Sequence, residues 1–255
     1  MYSNNMMWFD SFNQSNHPPN DIYEKIAHER WRLLISKSVS SLSKAYILKT
    51  DSWNESKSNN TTVGIPRDNT IIFSDICFQI LKLNSVNTNL INSDIRSLPF
   101  LSESFSAVLD ISTSDHCNYD EFKLILLEYN RILKQNGVLV LVHNSKDSII
   151  WNLLTRLGIK SPAYTGIPPA YYFSTKTVIK DLLASGYRIK HTCFTNYFGW
   201  ARKVINKIIP DSDRIIHFIA KKELELTNSL YRYLARQHVI VAIKTKVMGS
   251  SHLVR

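Results

Sequence analysis

Seven short apolar runs, spread through most of a 255-residue chain, constrain the fold more than any other feature. They read AYILK (45–49), TIIFS (70–74), NLINS (89–93), SAVLDIS (106–112), GVLVLVH (137–143), YRIKHTCF (187–194) and HVIVAIK (238–244). The first five lack a clean alternation of polar and apolar positions, as strands covered on both faces do. Helix-compatible stretches separate them. One of these, EFKLILLEYNRILKQNG (121–137), puts Phe122, Leu126, Tyr129 and Leu133 on one face, with Gly137 as a C-terminal stop. Another starts at Asp21, a fitting N-cap, and spaces Ile22, Ile26, Trp31, Leu34 and Ile35 near the helical period. Alternating strands and helices predict an α/β fold: a mostly parallel central sheet with right-handed crossovers and helices on both faces. The last two runs are expected to pair antiparallel at one edge.

An apolar share of 44% in a chain of this length supports one sizeable core, so a single domain is expected over residues 21–246. Residues 1–20, rich in Asn and Ser and holding Pro18-Pro19, read as a mobile leader without a packed element, and 247–255 as a tail. No run approaches the length of a membrane span, and the start lacks the basic-then-apolar order of a signal peptide, so a soluble, cytoplasmic protein is expected. Cys77, Cys117 and Cys193 are too few and too scattered for a disulfide framework or a zinc site, and no metal is expected. Net charge is +10, unevenly placed: residues 186–255 hold 13 Lys and Arg against 4 Asp and Glu, while the rest holds 18 against 17. A basic lobe attracts phosphate, carboxylate or nucleic acid, or is simply a solvated face. Within it WARKVINKII (200–209) sets Trp200, Val204, Ile205 and Ile208 against Arg202, Lys203 and Lys207, an amphipathic helix expected to dock on its own domain. Its cations alternate with apolar positions instead of clustering with aromatics, so nucleic acid is not the expected partner.

Residues 89–144 carry a longer pattern: Asp94-Ile95-Arg96-Ser97-Leu98-Pro99-Phe100, then Ser104-Phe105-Ser106-Ala107-Val108, then His116, then Glu128, Arg131, Leu133 and Gly137. In order and spacing this resembles the class I S-adenosylmethionine-dependent methyltransferases, of methyltransferase type 11 kind. Ser106 stands where that family usually has Asp, and Asn136 replaces the first Gly of a pair. The family's glycine-rich turn after the first strand is absent. Ile47-Leu48-Lys49-Thr50-Asp51-Ser52-Trp53-Asn54-Glu55 stands there instead, and looks like a subgroup with L-K-T-D at this place. That subgroup also has Arg-Trp in the preceding helix, as Arg30-Trp31 here, and a match to Ser112-Thr113-Ser114-Asp115-His116-Cys117. The resemblance implies a Rossmann-like class I methyltransferase fold, S-adenosylmethionine as cofactor, and a small or medium methyl acceptor.

Asp75 closes the second run, where a carboxylate is placed to accept both ribose hydroxyls of a nucleoside; a helix N-cap is the structural alternative. The resemblance assigns Asp94 to the adenine amino group, with Ile95 packed on the ring; a plain turn residue is the alternative. Asp51 occupies the missing glycine turn and is a candidate for the cofactor's ammonium group, by side chain or by a different turn. Ile76 and Ser112 complete the expected cofactor contacts. Asp115 and His116 follow the fourth strand at the edge where an acceptor meets the donor methyl. They are the catalytic candidates, His116 as base or as a structural contact. His143, Asn144, Tyr164, Tyr171 and Tyr172 are candidates for the acceptor pocket, the tyrosines equally for core packing. The polar stretch 56–70 is too hydrophilic for the usual long first crossover helix. Two other functions stay open: a non-catalytic relative acting as partner or scaffold, and an RNA methyltransferase.

Overall fold

The computed structural model describes residues 2–14, 21–57, 61–84, 89–158, 170–197, 199–226 and 229–245. All seven apolar runs are strands: β1 (Tyr46–Lys49), β2 (Thr70–Asp75), β3 (Leu90–Asn92), β4 (Phe105–Ile111), β5 (Leu133–Asn144), β6 (Tyr187–Thr195) and β7 (Gln237–Lys244). They form one sheet in the order β3-β2-β1-β4-β5-β7-β6. The first five pair in parallel, and β7 runs antiparallel to both β5 and β6. Nine α-helices lie among the described residues: α1 (Tyr2–Gln14), α2 (Ile22–Val39), α3 (Trp53–Ser56), α4 (Phe78–Leu83), α5 (Tyr119–Ile132), α6 (Ile149–Arg156), α7 (Thr175–Ala184), α8 (Arg202–Ile208) and α9 (Asp213–Glu225). Among the described residues no helix is long and apolar enough to cross a membrane.

The missing alternation now has its cause, because successive strand residues enter two different cores. Leu48, Val108, Leu139, Leu141, Ile240 and Ala242 pack with Phe122, Ile125 and Tyr129 of α5 and with Val178 and Leu182 of α7. Their neighbours Ile47, Ala107, Leu109, Val140, Val142, Val239 and Val241 pack on the other face, with Trp31, Leu34, Ile35 and Val39 of α2. Both faces are dry, so both parities are apolar. Each fully buried Leu, Ile or Phe here contributes about 1.5–3 kcal/mol. Asp21 caps α2 by accepting from the Glu24 N–H, and Asn118 with Glu121 forms a capping box on α5.

Four expectations need correction. Residues 2–14, read as part of a leader without a packed element, form α1, because Trp8, Phe9 and Phe12 share a side and bury against Cys77, Ile80 and Trp53. The helix expected over 121–137 stops at Ile132, since the chain extends at Leu133 and joins β5, with Leu133 opposite Phe105. Gly137 therefore lies inside a strand, where an added Cβ would sit 2.8 Å from the Lys134 carbonyl. The left-handed residue is Asn136, at φ 62°, a conformation Asn tolerates better than most. The helix expected over 200–209 spans only α8 and buries no residue fully, although Ile205 and Ile209 lean on Ile22, Ile26, Ile216 and Ala220.

Candidate functional site

The carboxyl ends of β1, β2, β3 and β4 open onto a cavity of about 400 Å³, within the range typical of small-molecule sites. Parallel strands make this edge the natural binding edge, because loops leaving adjacent strands there converge. Of the expected cofactor residues, Asp51, Asp75, Ile76, Asp94, Ile95 and Ser112 all line it, and so does His116.

Asp75 is nearly buried at the tip of β2. Its Oδ1 accepts the Cys77 N–H at 2.8 Å and its Oδ2 the Ser52 N–H at 3.0 Å. Each oxygen keeps a further lone pair. Burial pushes its pKa up to about 6, and the two N–H donors hold it from rising further. The N-cap of α4 is Cys77, so Asp75 supports the turn before that helix without capping it.

The glycine-free turn is built from side chains. No residue from 50 to 57 adopts a positive φ. Instead the fully buried Lys49 ammonium pairs with Asp51 Oδ1 at 2.9 Å and with Glu55 Oε2 at 3.1 Å, and donates to the Asp51 carbonyl at 3.1 Å. Asp51 Oδ1 also accepts the Trp53 N–H, while its Oδ2 meets only the Thr113 hydroxyl, at 3.4 Å. Glu55 is fully buried and accepts the Thr61 hydroxyl at 2.7 Å. The two carboxylates hold the Lys49 pKa above that of a free lysine against the pull of burial. Neither Lys49 nor Glu55 stood out in the sequence; a lysine inside an otherwise apolar strand was the signal.

Asp94 is engaged otherwise than the resemblance implies. Both oxygens bind the Arg96 guanidinium, and Oδ1 also accepts the Arg96 N–H. Arg96 reaches on to Glu121. Burial would raise the Asp94 pKa, but the Arg96 hydrogen bonds outweigh it and hold the carboxyl below its usual value. Ser112 takes a left-handed φ of 63°, its N–H on the Val142 carbonyl and its hydroxyl receiving Gln237 Nε2 at 3.2 Å.

The turn after β4 is pinned from below. Asp110 accepts the Thr113 and Ser114 N–H groups with Oδ1 and the Tyr129 hydroxyl with Oδ2. This places His116 on the cavity wall and Asp115 behind it, fully buried, with Oδ1 3.6 Å from His116 Nε2. Asp115 Oδ2 accepts from Asn144 Nδ2. Burial, then the charge of Asp110, holds the Asp115 pKa well above its usual value. Trp8 of α1 meets the His116 ring edge-on, with centroids 4.7 Å apart, and with Trp53 forms an aromatic wall.

Those of the expected acceptor residues that lie among the described residues do not line this cavity. His143 is fully buried in β5, its Nε2 3.2 Å from His238 Nδ1, because β5 and β7 bring the two rings together inside the sheet. Burial pushes its pKa down to about 4. Asn144 serves Asp115 and is outside the cavity lining. Tyr171 and Tyr172 are each 40% exposed, with the Tyr171 N–H on the Asp115 carbonyl. Tyr164 lies outside the described residues. Among the described residues no cluster of three or more His, Cys, Asp or Glu side chains could hold a metal ion.

Residues 66–141 match the family model of a methyltransferase domain. An uncharacterized protein of Methanocaldococcus jannaschii is 36% identical over 86 residues, which is 34% of this chain and 37% of that one. The chain thus spans little more than a third of the length of the curated relative it matches. Among solved structures, a geranyl diphosphate methyltransferase in complex with S-adenosylmethionine superposes with a TM-score of 0.56 at 7% identity, covering 85% of each chain. The 4+2 cyclase SpnF superposes with a TM-score of 0.55 at 15% identity, covering 86% of this chain and 81% of its own. Such likenesses share the fold and leave the reaction to the site. Residues 66–141 thus match a methyltransferase domain, and the seven-stranded sheet has the Rossmann-like fold of the class I methyltransferases.

Proposed function

We propose that this protein is a cytoplasmic S-adenosylmethionine-dependent methyltransferase acting on a small or medium acceptor. The observation that carries the reading is one cavity lined by a nearly buried carboxylate at the tip of β2, a second carboxylate after β1, and apolar Ile76 and Ile95. Asp75 would take the ribose hydroxyls with its free lone pairs, and Asp51 Oδ2 the ammonium of the methionine moiety. Ile76 and Ile95 would flank the adenine. Asp94 would reach the adenine amino group only by sharing lone pairs already given to Arg96. The bound donor supplies a methyl group on a sulfonium that leaves readily, so alignment and water exclusion are the main demands on the protein. His116, on the wall, would hold or take the acceptor's proton, with Asp115 behind it as a positioning residue. That none of the three cysteines is in a disulfide suits a reducing compartment.

The test is calorimetric titration of S-adenosylhomocysteine into the wild type, Asp75→Ala and Asp75→Asn, with folding checked by circular dichroism. Each charge-assisted bond contributes about 1.5–3 kcal/mol, so Asp75→Ala should weaken binding at least roughly tenfold, with Asp75→Asn in between. Equal affinity in all three would reduce Asp75 to a buttress of its turn. A wild type that binds nothing would favour the non-catalytic relative, a reading supported by the occupation of Asp94 by Arg96.

A further inference from the structure

We infer that the outward faces of α8 and α9 dock on an anionic lipid surface. Both helices pack on α2 through their inner sides: Ile205 and Ile209 from α8 and its end, Ile216 and Ala220 from α9. Arg202 locks α8 in place on Asp21 and Glu24. With those contacts satisfied, large apolar side chains still point outward. Ile208 is 70% exposed, Phe218 59% and Val204 53%. They are interleaved with exposed Lys203, Lys207, Arg214 and Lys221, none of which forms a salt bridge within 4 Å among the described residues, though Lys221 is close enough to Glu225 to help lower its pKa. The acidic groups nearby are largely committed elsewhere: Asp211 to Lys25, Glu225 to Lys222 and Glu223 to Arg30. Only Asp213, at the start of α9, shares the shallow depression formed by Arg214, Phe218 and Lys221.

Charge and side-chain shape together select the occupant. Aliphatic Val204 and Ile208 between lysines suit insertion among acyl chains with the ammonium groups at the headgroups. Single-stranded RNA asks instead for several aromatic faces beside the cations, and α8 offers aliphatic ones, while the one aromatic on the α9 face, Phe218, already has Lys222 over its ring. A second copy laid face to face would bring four exposed cations against four more. Because β6 runs parallel to β4 and precedes α8, this surface begins at the edge of the sheet where the cavity opens. Docking would turn that edge toward the lipid. The inference does not depend on the identity of the methyl donor.

The test is co-sedimentation of the full chain with vesicles of phosphatidylcholine alone and of phosphatidylcholine mixed with phosphatidylglycerol, at low and high salt. Pelleting is expected with the anionic vesicles only, and less of it at high salt. A lysine near such a surface is worth roughly fivefold in partitioning, so Lys203→Ser/Lys207→Ser should lower it about twentyfold or more. Val204→Ser/Ile208→Ser should lower it at unchanged salt dependence. All four positions are exposed, so circular dichroism and affinity for S-adenosylhomocysteine should match the wild type, keeping this outcome separate from that of the donor site. The inference is overturned by no pelleting of the wild type with anionic vesicles, or by both variants pelleting as well as the wild type. It is equally overturned by a dimer in light scattering that Val204→Ser/Ile208→Ser dissolves without any vesicle binding, or by single-stranded RNA displacing the vesicles.

Discussion

Replacing Lys49 by methionine should be among the most damaging single changes in the molecule. The side chain is fully buried in β1, and its ammonium is the shared counter-charge of Asp51 and Glu55. Methionine keeps the length and the apolar stem but strands both carboxylates. Glu55, fully buried, would retain only the Thr61 hydroxyl and N–H, and Asp51 only the Trp53 N–H and the Thr113 hydroxyl. Removing one partner of a buried pair costs about 3–5 kcal/mol, a large part of the roughly 5–15 kcal/mol that holds a domain together. At about 2–4 °C per kcal/mol for a chain of this size, Tm should fall by roughly 6–20 °C. The loss should shrink at low pH, where the stranded carboxyls take up protons, and Lys49→Met/Glu55→Gln should recover much of it. Urea melts of the three proteins at two pH values, with calorimetry for Tm, measure this. A Lys49→Met protein within about 1 kcal/mol of wild type at neutral pH would refute the claim that this triad stands in for the glycine turn.

Two shorter predictions follow from the same geometry. Trp8→Ala opens the aromatic wall over His116 and Trp53, and edge-on aromatic contacts are worth about 0.5–1.5 kcal/mol. S-adenosylhomocysteine should therefore bind roughly two- to tenfold more weakly in calorimetric titration, and Tm should fall as well because Trp8 packs on Cys77, Ile80 and Trp53; a full-strength complex would place α1 outside the site. His143, pushed down to about 4 by burial, is neutral in the fold. Its contribution is complete above the free imidazole value of 6.5 and drains away as pH falls from there to about 4, by on the order of 3 kcal/mol. His143→Asn should flatten the urea midpoint across that window, and an unchanged slope would sink the assignment.

The sheet was legible because its signal is redundant. Ile47, Leu48, Ala107, Val108 and Leu109 are apolar at both parities, and only a strand between two layers of helix uses such a run. The mostly parallel character followed from the alternation of strands and helices, and the antiparallel end from two strands late in the chain; strand order and register come from the structure. What failed were boundaries and terminal elements. Gly137 has the look of a helix stop, yet the chain leaves the helix four residues earlier, since Leu133 gains a strand partner in Phe105. The α1 segment has no sustained period of its own. Its three aromatics are explained only by Trp53, Cys77 and Ile80, which lie far along the chain.

The site divides along the same line. Asp51, Asp75 and Asp94 were readable because Asp75 ends β2 and the other two lie just past the ends of β1 and β3, and chain position alone puts them at one edge. Their working state was not readable, since it depends on partners brought in by folding. A glycine turn would let the backbone curve round a ligand without help from side chains. Here no residue from 50 to 57 takes a positive φ, and the curve is held by Lys49 on Asp51 and Glu55 and by the Ser52 N–H on Asp75. Asp75 thus buttresses the turn after β1 while facing the cavity with its remaining lone pairs. A donor on that carboxylate from the cavity side favours its ionised form, which is also the better acceptor for the Ser52 N–H, so a ligand there and the conformation of the turn are coupled through one side chain. A chain with the glycine turn separates those two jobs, and this one joins them.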